Sequence, residues 1–80
     1  MTSNITYYVS MGFTRNEEGD LVALEPIESQ SASVAISKAR SLAAKNVGAV
    51  AFSRTGDPNA GEFTDAKVLW QGGEVPGDLL

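Results

Sequence analysis

The residues best able to do chemistry sit in one stretch, Arg54-Thr-Gly-Asp-Pro-Asn-Ala-Gly-Glu62. It combines a guanidinium, a hydroxyl, two glycines and two carboxylates, a set that could hold a small anion or a glycan. Arg54, Thr55, Gly56 and Asp57 form the candidate loop site. The glycines resemble those of phosphate loops, but the Gly-Lys-Ser/Thr ending is missing and a strand pattern follows. A phosphate loop instead aims a helix N-terminus at its anion. The plainer alternative is a long hairpin loop closed by Asx turns at Asp57 and Asn59.

Catalysis finds little to work with. The chain has no histidine and no cysteine, which removes the commonest general base and the strongest neutral-pH nucleophile. Ser53 lies near Arg54 and Asp57 but has no base to activate it. The carboxylates fall mostly in expected loops, and a pair does acid–base work only where the environment splits its pKa values. We therefore expect no catalytic residue, no cofactor and no metal site. The lack of cysteine also excludes a disulfide framework and thiolate ligation.

Charge and hydropathy narrow the partners. The formal net charge of −4 opposes nonspecific binding to nucleic acid or anionic membrane, both of which need basic surface. Tyr7, Tyr8, Phe13 and Trp70 could in principle stack on bases, but the acidic balance favours core packing. No run approaches the ~20 apolar residues that span a bilayer, and residues 1–6 lack the basic-then-apolar pattern of a signal peptide. A cytoplasmic location is expected. Acids crowd residues 15–28 and 55–80, while residues 31–54 hold Lys38, Arg40, Lys45 and Arg54 and no acid. That basic middle could dock an anionic partner, but neighbouring segments of opposite charge explain it with weak surface pairs.

The elements that position these residues can be read from periodicity. A chain of 80 residues fits one domain and buries only about 60% of its unfolded surface. Ile5, Tyr7, Val9, Met11 and Phe13 alternate with Thr6, Tyr8, Ser10 and Gly12, as in a half-buried strand. Residues 14–20 read as a hairpin loop, and residues 21–28 as a second strand that Pro26 assigns to a sheet edge. Ser31 can cap a helix whose stripe is Ala32, Ala35, Ile36, Ala39, Leu42 and Ala43. Asn46 or Gly48 can end it. Residues 47–54 and 63–70 supply the third and fourth strands, and glycines and Pro76 make residues 71–80 an irregular tail.

The expectation is one α+β domain over residues 1–70: ββαββ, a four-stranded antiparallel sheet of order 2-1-3-4 with one helix on one face. The parallel second and third strands call for a right-handed connection through the helix. One helix covers only one face. The other would carry Tyr8, part of the run from Ala49 to Phe52, and either Phe63 with Leu69 or Val68 with Trp70. Tyr8, Phe63 and Leu69 are the candidate partner face. An apolar patch of more than a few hundred Å² rarely stays bare, so a homodimer is expected first. A different protein, or the tail with Val75, Leu79 and Leu80, could also cover it. The leading reading is a small non-enzymatic interaction module; the alternative is an anionic-ligand or glycan domain at the loop.

Two resemblances bear on this reading. Val47-Gly-Ala-Val-Ala-Phe-Ser-Arg-Thr-Gly-Asp-Pro58, Gly61-Glu-Phe-Thr-Asp-Ala66 and the Glu74-Val-Pro-Gly-Asp-Leu79 ending resemble a family of short bacterial proteins of unknown function, which implies no site. The opening Tyr7-Tyr8-Val9 resembles that of peptidoglycan-binding SPOR domains, which use an open antiparallel sheet backed by helices. The second helix of that fold has no counterpart here.

Overall fold

The computed structural model describes residues 4–57 and 59–77. The alternating N-terminal stretch forms β1 (Ile5–Arg15), followed by β2 (Leu21–Ala23), β3 (Ile27–Ser29), α1 (Ala32–Lys45), β4 (Gly48–Asp57), β5 (Glu62–Phe63) and β6 (Lys67–Gly73). Every strand pair is antiparallel. The β1–β4 ladder is the backbone of the sheet, running unbroken from Ile5↔Gly56 to Phe13↔Gly48. The one-helix α+β architecture is as expected.

The strand count is not. Among the described residues the sheet holds six strands, on the path β2-β1-β4-β5, with β3 also on β1 and β6 also on β4. The four-strand order 2-1-3-4 is corrected because both flanking strands are interrupted. Met11 and Gly12 on β1 stand opposite three residues, Leu24, Glu25 and Pro26. Pro26 has no N–H to give a ladder, and the extra residue bulges the edge. On the other flank Arg54 and Thr55 stand opposite Thr64, Asp65 and Ala66. A second irregularity next to Ala51 and Phe52 leaves Leu69 as an extra residue.

Local chemistry sets the connections. In the β1–β2 turn the Asn16 side-chain oxygen accepts from the Glu18 and Asp20 N–H groups, and Gly19 takes φ +86°, a region open to glycine. Ser31 caps α1 as expected, its Oγ accepting from the Val34 N–H at 3.3 Å. Asn46 ends the helix, its backbone and side-chain N–H groups both donating to the Leu42 carbonyl. β6 continues to Gly73, three residues into the segment expected to be irregular. Leu79 and Leu80 lie outside the described residues.

The core under α1 is built from small residues. Ala35 and Ala39 on the helix and Ala49 and Ala51 on β4 are fully buried together. Ser10 Oγ donates to the Ala35 carbonyl at 2.7 Å, which satisfies a buried hydroxyl that would otherwise carry a desolvation cost. Residues paired across an antiparallel ladder point to the same side. Ser10 and its partner Ala51 therefore fix the helix side of β1 as Thr6, Tyr8, Ser10 and Gly12.

Candidate functional site

The remaining side chains of β1, namely Ile5, Tyr7, Val9, Met11 and Phe13, project from the far face, away from α1. Their ladder partners on β4 are Gly56, Arg54, Phe52, Val50 and Gly48, which share that face. Its two ends differ. At one end Phe13 and Val50 are fully buried. A Cβ on Gly48, pointing to this same side, would collide with the backbone carbonyl of Glu74. The chain leaving β6 thus crosses the far face there, held by the Glu74 N–H to the Val47 carbonyl at 2.9 Å. Val75 and Pro76 beyond it are half-buried.

An ion pair reinforces that crossing. Arg15 at the end of β1 donates from both Nε and Nη2 to the Glu74 carboxylate, the shorter bond at 2.6 Å. The Arg15 hydrogen bond, and then its charge, pull the Glu74 carboxyl below its ordinary pKa, and the same contacts raise Arg15. Both groups are exposed, so the pair is screened by water and salt.

The other end of the far face is open. Tyr7, Val9, Met11, Phe52 and Phe63 line a concavity of about 500 Å³, with Pro26, Glu28 and Arg54 at its margins. Phe63 and Val68 are 43% and 45% exposed. The Tyr7 and Phe63 rings meet at a tilt with centroids 6.0 Å apart, a geometry favoured by their quadrupoles.

Of the three residues expected on a partner face, the structure places only Phe63 on this open surface. Tyr8 and Leu69 pack against the alanine core under α1. Trp70 also lies on the helix side, with the Arg40 guanidinium 5.9 Å from its ring centroid. Tyr7, Val9 and Met11 are open-face residues not expected there, and Phe52 is the part of the Ala49-to-Phe52 run that joins them. The sequence did hold a signal for them. Gly12 and Ser10 mark the side of β1 on which a helix can come close, so the bulky set belongs opposite.

The expected loop site is dispersed. Arg54 lies at the margin of the far-face concavity. Thr55 Oγ1 is hydrogen-bonded to Thr6 Oγ1 at 2.9 Å, and Gly56 is buried. Asp57 Oδ1 accepts from the Asn59 N–H at 2.9 Å, so an Asx turn closes the hairpin. The small hollow beside it is lined by Asp57 and Glu62 and by no cation, a field that opposes an anion. Among the described residues no group of three carboxylates converges as a metal site would require, and no helix is long and apolar enough to cross a membrane.

Comparison with known proteins adds no assignment: no family model, no curated protein and no solved structure matches this chain.

Proposed function

We propose that this protein is a non-enzymatic interaction module that self-associates through the open end of its far sheet face. The observation carrying this reading is the apolar concavity formed by Tyr7, Val9, Met11, Phe52 and Phe63, in which the first four are half-buried and Phe63 is exposed. Large apolar groups gathered in one hollow gain most from leaving water together, at roughly 25 cal/mol per Å². A closed two-fold pair is the commonest way for a chain to bury such a surface.

The sheet edges support a face over an edge as the contact. Both flanks are broken and bulged, one into β2 and β3 and the other into β5 and β6, and Lys67 begins β6. Short, bulged and charged edges discourage strand-to-strand addition. The face carries one charge of each sign, Glu28 and Arg54, beside its apolar floor.

Sedimentation equilibrium from about 10 μM to about 1 mM, the range of modest affinities, tests the reading. A monomer–dimer equilibrium is expected. Val9→Lys, which sets a charge in the middle of the concavity and leaves the helix side untouched, should abolish the dimer with circular dichroism unchanged. A wild-type chain that stays monomeric throughout would sink the proposal.

A further inference from the structure

We propose, resting on that reading, that the two copies meet in one register, about a two-fold axis that sets Arg54 of each against Glu28 of the other. Both residues line the concavity and both are exposed. Arg54 stands beside Tyr7 on β4, and Glu28 stands beside Val9 on β3, so they occupy opposite flanks of β1. Two strand spacings across and two residues along place their Cα atoms about 12 Å apart. Within one copy the apolar floor separates them. Among the described residues the ion pair formed is Arg15 with Glu74, and neither Arg54 nor Glu28 takes part in one.

Symmetry turns that separation into a constraint. In a face-to-face dimer the two-fold axis lies in the plane of contact. Such an axis exchanges two points only when it bisects the line joining them at a right angle. For Arg54 and Glu28 the midpoint falls over β1 between Tyr7 and Val9, at the floor of the concavity. One placement of the axis therefore forms both ion pairs at once and centres the apolar residues on each other. An axis passing close to Arg54 would oppose two guanidinium groups, and one close to Glu28 two carboxylates. Like charges facing each other across a contact cost several kcal/mol in general. The face carries its own electrostatic complement, which is why the partner is a second copy of this chain and not an unrelated protein.

Charge reversal tests the register separately from the existence of the dimer. Arg54→Glu and Glu28→Arg should each weaken the homodimer by about tenfold or more, since every copy then meets two like-charge contacts. Mixing the two variants in equal amounts should restore a dimer. One copy then presents a carboxylate at both positions and the other a guanidinium at both, so each contact again joins opposite charges. Lys38→Glu on α1 changes the net charge by the same amount as Arg54→Glu, away from the face, and should leave association unchanged. A wild-type dimer that both reversals leave intact, or a mixture that does not recover, overturns the register while the face reading stands. A wild-type chain monomeric at every concentration removes both.

Discussion

The two faces of this sheet are built to different scales. On the helix side the fully buried contacts are Ala35, Ala39, Ala49 and Ala51, with Ser10 and Gly12 on β1 beside them, and Tyr8, Leu69 and Trp70 pack partly buried around this small centre. On the far side the same two strands carry Tyr7, Val9, Met11, Phe13, Val50 and Phe52. Hydrophobicity alone does not separate the fully buried residues of the two faces; size does, with alanines under the helix and Phe13 and Val50 on the far side. A helix lying close to a sheet leaves room for methyl groups, and a larger side chain would have to push the layers apart. Where no helix lies, the groups are large, and part of that surface is hidden only where the chain folds back at Glu74. Small residues therefore mark where α1 approaches the sheet most closely, with bulkier ones packed around that point, whereas the far face carries large groups along β1 from Tyr7 to Phe13.

That contrast can be broken or sharpened by substitution, beginning with its largest consequence. Phe13→Ala removes the biggest fully buried side chain, at the end of the far face that the chain covers itself. A loss of about 3–5 kcal/mol is expected in urea unfolding; a loss below about 1 kcal/mol would mean that this end is no part of the core. Next comes the helix side. Ala39→Leu forces three extra carbons between α1 and β4 and should cost about 1–3 kcal/mol by the same measurement. A neutral result would show that the layers part easily and that size does not distinguish the faces.

The smallest effect concerns the crossing at Glu74. Its carboxyl titrates below the ordinary carboxylate range because Arg15 holds the charged form. The stability this brings is therefore complete above the unfolded-state pKa and disappears as pH falls through the depressed folded value. Arg15→Gln should return the Glu74 titration to the ordinary range, followed by carboxyl-carbon NMR, and should slightly flatten the acid limb of the stability curve. A wild-type Glu74 that already titrates like a free glutamate would show that the crossing owes nothing to this pair.

Much of the architecture was legible in the residues. The period-two run of β1, the alanine stripe of α1 and its Ser31 cap all depend on local rules and are found in place, and of the two stops offered, Asn46 and Gly48, the helix uses Asn46. The orientation of β1 was not legible from apolar content. Ranking by hydrophobicity gives the helix the side with Tyr7, Val9, Met11 and Phe13, whereas α1 rests on the side of Ser10 and Gly12. Tyr8, expected on the open surface, consequently lies against α1. The bulges divide similarly. Pro26 pointed to a sheet edge but not to the break it makes between β2 and β3, and the extra residue at Leu69 depends on the long-range register with β4, which no local pattern records. Loop composition also misled: Asp57 and Gly61 do bracket a tight turn, yet β4 extends through Thr55 and Gly56 because their ladder partners on β1 and β5 are available.

Trp70 is the only indole in the chain, and it sits beneath Arg40 on the helix side. Its fluorescence is therefore a natural gauge of one place, the seam between α1 and the outer strand. Opening that seam admits water to the ring and shifts the emission to longer wavelength. Events on the opposite surface leave the indole in the same surroundings. Helix undocking and the proposed copy-to-copy contact can thus be followed in one unlabelled sample, the first by colour and the second by mass.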